Sequence, residues 1–213
     1  MINNRSIDRT TYSKRYLNSD KLTILKKQTI LPILLLLVSC AQTTTLRNGY
    51  SKAPTKSKVF KNSVYFEQAI LDQIDTTVIY EEYNDNYYEG LVKQENVLAR
   101  HNYANRHTTY GVYRFYGNGC FNLFHLDRDK PELTAEMFDP AYTGWRGVLY
   151  KKKNKILGDM FTQTGQMGWQ LGKQTEAFIF RGDTLIVELK NVHKFFYIKR
   201  HIDKKLLEHH AEW

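Results

Sequence analysis

A succession of β-hairpin patterns after residue 109 constrains the fold of this chain more than any other feature. Residues 110–116 are aromatic and β-branched, residues 117–119 read Gly-Asn-Gly, and an apolar run resumes over 120–126. Glycine and asparagine tolerate positive φ, so this arrangement predicts two antiparallel strands joined by a tight turn. The first clear structural unit of the chain is therefore a β-hairpin.

The same pattern continues almost to the end of the chain. A basic turn at 151–155 joins two apolar segments, and Arg181-Gly182-Asp183 reads as a hairpin turn, not as an adhesion tripeptide. Met167, Trp169 and Leu171 alternate with polar residues, as do Leu185, Val187 and Leu189, which indicates half-buried strands. The later predicted strands are 145–150, 156–161, 166–171, 174–180, 185–189 and 195–198.

Hairpins in succession, with no helix long enough for parallel crossovers, predict a mainly β fold with an antiparallel up-and-down meander. Closure into a small lipocalin-like barrel best removes the sheet edges, and a two-layer β-sandwich is the alternative. Upstream, Val78-Ile79-Tyr80 is typical of a strand. Phe66, Ala69, Ile70 and Ile74 recur at helical spacing, so one short N-terminal helix is expected within 63–74, with Asn62 or Ser63 as its cap.

A short apolar run over residues 30–38 follows Lys26 and Lys27 and ends at Ser39-Cys40. Nine residues span only ~14 Å as a helix, well short of the ~20 residues that a membrane crossing needs. A polar sequence, Ala41-Gln42-Thr43, follows at once, which is unusual for a buried core segment. The run therefore has the character of the hydrophobic part of an export signal.

Leu37-Val38-Ser39-Cys40 resembles the lipobox of bacterial prolipoproteins. The resemblance implies a diacylglycerol on the Cys40 sulfur, cleavage before that residue and a fatty-acyl chain such as palmitate on its new amino group. Residues 1–39 are then a signal peptide, and its first 20 residues are long and mixed in charge. Translation starting near Leu17 or Leu22 would explain this, and so would a long segment that is simply discarded.

Charge is divided unevenly along the chain. The formal net charge is +9, and residues 1–39 carry seven Lys or Arg against two Asp, so +4 remains after cleavage. We expect residues 40–62 to be the lipidated cysteine followed by a flexible tether. Several lysines in this stretch would then face lipid head groups. We therefore expect a membrane partner through Cys40 and no nucleic acid partner.

A looser resemblance covers the second half of the chain. The motifs at 113–120, 139–140, 147–150 and 182–185 are similar to those of small Bacteroidota lipoproteins with a β-rich domain. The resemblance implies a β-rich fold and no particular activity. The pattern of apolar residues separately predicts one domain over 63–203 and a C-terminal tail over 204–213, where Leu206, Leu207 and His210 share one side of a helical turn that we expect to pack on the barrel exterior. Ala41-Gln42-Thr43 lacks the acidic cluster that resembles a surface-export signal in that group, so an outer-membrane position facing the periplasm is expected.

No catalytic or metal-binding pattern stands out. Cys120 and His125 lie five apart on one predicted strand, so their side chains should point to opposite faces, with Cys120 acting as a small apolar residue. The histidines and carboxylates have no metal-ligand spacing, and we interpret them as solvated charges; they include His101, His107, His209, His210, Glu81, Glu82, Asp85, Asp127, Asp129 and Glu132. The sequence thus predicts no enzyme, no cofactor and no metal.

Aromatic content is the remaining clue to function, since the chain has fifteen tyrosines. Tyrosine has an apolar face and a polar tip, which suits ligand cavities and protein interfaces. We expect a barrel that binds an apolar or amphipathic small molecule, and the alternative is an envelope-protein docking surface around Tyr83, Tyr87, Tyr88 and Tyr103. The candidate ligand-binding residues are Tyr113, Phe115, Phe124, Trp145, Met167 and Trp169.

Overall fold

A computed structural model describes residues 43–83, 87–88, 109–127, 129–130, 132–164, 170–189 and 193–213. Residues 1–42, with Cys40, lie outside the described residues, as do Met167, Trp169 and Tyr103. The strands of the described part are β1 (Thr43–Thr45), β2 (Lys52–Pro54), β3 (Ile79–Glu82), β4 (Tyr87–Tyr88), β5 (Thr109–Phe115), β6 (Cys120–Asp127), β7 (Trp145–Lys152), β8 (Lys155–Thr164), β9 (Gln170–Arg181), β10 (Thr184–Leu189) and β11 (His193–Arg200).

Eight antiparallel strands close into a barrel. β3 and the seven strands β5 to β11 pair in chain order, and β11 closes the ring because it pairs with both β10 and β3. Tyr197 on β11 lies opposite Leu185 on one side and Glu82 on the other. β4 also pairs with β11. The predicted up-and-down meander and barrel are confirmed, and the two-layer sandwich is not formed.

Local turn chemistry sets the hairpins. Lys153 and Asn154 have φ of 49° and 60°, the conformation of a type I′ turn between β7 and β8. Gly119 has φ of 82° between β5 and β6, and the Cys120 amide donates to the Asn118 side chain at 3.1 Å. Gly182 has φ of 57° between β9 and β10. The predicted hairpins β5–β6, β7–β8 and β9–β10 are confirmed.

One half of the barrel interior is filled with aromatic side chains. The Phe115 and Phe178 rings meet edge to face at 5.5 Å between centroids, and those of Phe121 and Phe178 at 5.2 Å. Ile70 and Ile74, from the segment before β3, pack into the same core cluster. Since the turns 117–119, 153–154 and 182–183 lie at this end of the strands, we call it the closed end.

The predicted N-terminal helix takes a different form. Two 3-10 helices, Lys61–Tyr65 and Gln68–Gln73, are separated by extended backbone at Phe66 and Glu67, where ψ is 129° and 131°. Their N-cap residues are Phe60 and Glu67, and neither makes a side-chain cap hydrogen bond. Asn62, within the first of these helices, donates to the Asp159 carboxylate at 2.7 Å. The remaining 3-10 helices of the described residues are Ser57–Val59, Ala135–Phe138 and Lys204–Leu207.

The described part of the expected tether, 43–62, is folded onto the barrel, so the prediction of a flexible tether is wrong there. β1 and β2 pair as a small two-stranded sheet, and Arg47 forms an ion pair with Asp139. Phe60 is buried against Val148 and Phe161 on the outer face of the barrel. Few apolar residues are needed to hold this segment in place, because residues such as Phe60 pack on a surface that the barrel strands already form.

The C-terminal tail packs on the barrel exterior, as predicted. Asp203 caps the 3-10 helix Lys204–Leu207 by accepting a hydrogen bond from the Lys205 amide at 2.9 Å. The Trp213 indole donates to the Gly147 carbonyl at 3.0 Å, and the Arg146 guanidinium lies over the Trp213 ring. The tail therefore covers the outer face of the strands around β7.

Candidate functional site

The half of the barrel opposite the closed end contains a cavity of about 360 Å³. The carboxyl ends of β3, β6, β8 and β10 lie at this end, together with the amino ends of the strands that pair with them. Side chains that alternate inward from these strands line the cavity. The described lining residues are Glu82, Gly111, Tyr113, Leu123, His125, Trp145, Met160, Thr162, Gln163, Gln174, Glu176, Leu189, Phe195 and Tyr197.

Glu176 on β9 is the most deeply placed charged group of this cavity, with 4% of its surface exposed. One carboxylate oxygen accepts a hydrogen bond from the Tyr113 hydroxyl at 2.7 Å, and the other accepts one from the Gln174 amide at 3.0 Å. Desolvation raises the pKa of the Glu176 carboxyl, and the two hydrogen bonds oppose that shift. Burial, with the nearby Glu176 carboxylate, raises the pKa of the Tyr113 hydroxyl well above its usual value.

Glu82 on β3 supplies a second carboxylate. Its Oε2 atom accepts a hydrogen bond from the Gly111 backbone amide. A Cβ atom added at Gly111 would lie 3.1 Å from Glu82 Oε2 and 3.4 Å from the Tyr197 ring, so the three groups converge. Tyr113 and Tyr197 meet edge to face, with ring centroids 4.8 Å apart.

His125 enters the cavity from β6. Its side chain is exposed in the mouth, but the surrounding protein lowers the pKa of the imidazole by desolvation. Cys120 on the same strand points outward, where it is buried with Tyr116, Ala211 and Trp213, and burial raises the pKa of its thiol. The prediction that Cys120 and His125 lie on opposite faces is confirmed.

The four candidate ligand residues that the structure describes divide into three groups, while Met167 and Trp169 lie outside the described residues. Tyr113 and Trp145 line the cavity. Phe115 is inside the barrel but fully buried in the filled half. Placing Phe124 in the cavity was wrong: it lies on the outer face of β6 and packs edge to face on Phe138, with centroids 5.8 Å apart.

Six polar lining residues were missed from the sequence: Glu82, His125, Thr162, Gln163, Gln174 and Glu176. The interpretation of Glu81 and Glu82 as solvated loop charges is wrong, because both lie on β3, where Glu81 is buried against Arg200. On β9, the alternation of side chains along the strand could have identified two of these residues. Gln174 and Glu176 share the phase of Phe178 and Phe180, which places all four on one face.

Two further hollows lie apart from this cavity. One, of about 220 Å³, is lined by residues of the 3-10 helix Gln68–Gln73 and by the β7–β8 turn. The other, of about 560 Å³, lies between the β5–β6 turn and the C-terminal tail. Arg114 lines the latter, but its guanidinium is used by the fold, since it donates to the Phe138 and Leu207 carbonyls. The barrel cavity differs from both hollows because its described lining includes a buried carboxylate, that of Glu176.

Within the described residues, no group of His, Cys, Asp and Glu side chains has the arrangement of a metal site. In the same part of the chain, no helix has the length and apolar character needed to span a membrane. Comparisons with protein-family models, with curated proteins and with solved structures find no significant match.

Proposed function

We propose that this protein is a lipid-anchored cell-envelope protein that binds a small amphipathic molecule in the open half of its barrel. The observation that carries the proposal is the cavity of about 360 Å³ inside a barrel whose other half is filled. Ligand sites are concave, largely apolar and contain a few convergent polar groups, and their volumes begin at roughly 300 Å³. A solvent-accessible cavity of this size inside an eight-stranded barrel suits one small ligand.

The lining supports an amphipathic ligand. Trp145, Phe195 and Tyr197 offer aromatic surface, and Glu176, Gln174 and Tyr113 form a hydrogen-bonded polar group that adjoins it, since the Tyr113 and Tyr197 rings are in contact. A purely apolar molecule would leave the buried carboxylate facing it without compensation, which is costly. A molecule with one apolar and one polar part satisfies both surfaces.

The location is proposed from residues 1–42 alone. The lipobox-like sequence ending at Cys40 supports attachment to the membrane through a lipid, with the domain in the bacterial envelope at the outer membrane, facing the periplasm. Since residues 43–62 dock on the barrel, the length of chain left as a spacer is short. The proposal therefore places the barrel close to the membrane surface.

Native mass spectrometry of the full chain, purified from bacterial membranes in mild detergent, tests the binding function. We expect a defined extra mass that is lost on denaturation and persists when the detergent is exchanged for a chemically different one. Thr162→Trp, in the cavity wall, should abolish this mass because the larger side chain fills the space. Thr184→Trp, on the outward-facing alternation of β10, is the matched control and should retain it.

Two results would contradict the binding proposal. One is a wild-type protein without any extra mass. The other is an extra mass that is equally abundant in the Thr162→Trp variant, since such a molecule would be bound somewhere other than the cavity.

A further inference from the structure

The buried carboxylates of this protein differ in their partners, and the difference points to a ligand charge. Within the described residues the buried carboxylates are Glu81, Asp139, Asp159 and Glu176. Three of these are paired with a cationic side chain. Glu81 contacts Arg200 at 2.7 Å, Asp159 contacts Lys173 at 2.7 Å, and Asp139 contacts Arg47.

Glu176 is held differently. Its described hydrogen bonds come from a tyrosine hydroxyl and a glutamine amide, both of which are neutral. Burying a carboxylate without an opposite charge is unfavourable, and the raised pKa of Glu176 reflects that cost. Elsewhere in the described chain the fold places a Lys or Arg beside a buried carboxylate, whereas the described partners of Glu176 are neutral and its side chain lines the cavity.

The other charged side chain of the described cavity wall is also negative. Glu82 is a second acidic lining residue, and no Lys or Arg occurs among the described lining residues. His125 is the basic residue of that set, and desolvation lowers the pKa of its imidazole, which favours the neutral form. This acidic cavity belongs to a chain with a formal net charge of +9, so it does not follow the overall charge.

Aromatic rings complete the site. Tyr113 and Tyr197 form an edge-to-face pair, and Trp145 and Phe195 also line the wall. Aromatic faces attract cations within about 6 Å of the ring and also pack against apolar groups. Carboxylates beside aromatic rings in a partly desolvated space favour a positive group carried on an apolar body.

We propose that the cavity binds a small organic cation, with an ammonium group placed against Glu176 and Glu82 and an apolar or aromatic body against Trp145, Phe195 and Tyr197. This inference rests on the proposed binding function and specifies its ligand class. The ammonium supplies to Glu176 the positive charge that the fold provides to Glu81, Asp139 and Asp159 through Arg200, Arg47 and Lys173. The cavity volume limits the ligand to a small molecule.

Three probes that share an aromatic body and differ in charge test this assignment: 2-phenylethylamine, 2-phenylethanol and 3-phenylpropionate. Isothermal titration calorimetry on the full chain at pH 7, in a neutral detergent, measures their affinities. We expect the amine to bind about tenfold to a hundredfold more tightly than the alcohol, since a hydrogen bond to a charged group is worth about 1.5–3 kcal/mol. The carboxylate probe should bind most weakly.

Glu176→Gln keeps the side-chain shape and removes the charge, so it should bring the affinity for the amine close to that for the alcohol. Glu188→Gln is the matched control, because it removes a charge from the outward-facing alternation of β10. The control should keep the preference for the amine. Circular dichroism spectra that match the wild type establish that both variants are folded.

Different negative results would overturn the organic-cation assignment and the binding function. Binding of the alcohol or the carboxylate probe as tightly as the amine would overturn the cation assignment and leave the binding function standing. A preference for the amine that survives Glu176→Gln and Glu82→Gln would also overturn it. If none of the probes binds, the co-purified molecule decides: a cation supports the assignment, a neutral or anionic molecule overturns it, and no molecule contradicts the binding function itself.

Discussion

Individual glycines determine how much aromatic side chain the closed half of the barrel holds. A Cβ atom added at Gly147 would lie 2.2 Å from Phe121 Cζ, and one at Gly158 would lie 2.4 Å from Phe178 Cε2. Contacts this short require the rings to shift, and both rings are buried in the core cluster. These glycines are therefore needed for the space they leave, since neither has a positive φ.

Gly147→Ala should lower the free energy of unfolding by about 1–3 kcal/mol, the usual cost of overpacking a core. Chemical denaturation followed by circular dichroism measures this change. Gly117→Ala is the matched control, because nothing lies within 4 Å of its added Cβ. A similar loss of stability in both variants would contradict the packing argument.

At the scale of elements, the N-terminal segment acts as part of the barrel wall. Phe60 is buried against Val148 and Phe161 on the outer face, and Asn62 donates to Asp159. Asp159 also accepts hydrogen bonds from Thr175, Tyr150 and Lys173. The segment thus completes a buried polar network that begins on three barrel strands, and its removal would leave part of that network open to water.

Phe60→Ala should lower the free energy of unfolding by about 3–5 kcal/mol, as expected for truncation of a buried phenylalanine. Tyr65→Ala, in the neighbouring 3-10 helix, is the control, because Tyr65 is 61% exposed. The two variants are compared by urea denaturation of the full chain. If Phe60→Ala were no more destabilising than Tyr65→Ala, the segment would be a tether after all.

At the scale of the whole molecule, the barrel interior has a filled half and an open half. The closed half contains the aromatic core, while the open half holds the polar and aromatic wall of the cavity. Because closure removes the sheet edges, the barrel does not depend on a filled interior along its full length. The proposed lipid on Cys40 would keep the barrel at a membrane surface.

Cys40→Ser should leave an unprocessed precursor without lipid. Fractionation, labelling with a fatty-acid analogue and intact mass together test this expectation in a bacterial host. Cys120→Ser is the control: this buried cysteine packs with Trp213 on the barrel exterior and should not affect processing. Normal lipid labelling and membrane attachment of the Cys40→Ser protein would contradict the anchor.

The sequence by itself determined the hairpins, because turn residues and alternation act locally. Gly119, Lys153-Asn154 and Gly182 adopt positive φ where the sequence indicates turns, and Leu185 and Val187 point into the core as their alternation predicts. Successive hairpins also implied the meander. These features depend on residues a few positions apart.

Only the tertiary structure decided which face of each strand lines the cavity. β6 is apolar on both faces: Phe121 packs inside the barrel, while Phe124 packs outside under Phe138. Alternation separates the two faces but does not say which is inside, since that depends on the segments that cover the exterior. The docking of Phe60, the pairing of β11 with β3 and the position of Glu176 beside Tyr113 all depend on contacts between distant parts of the chain.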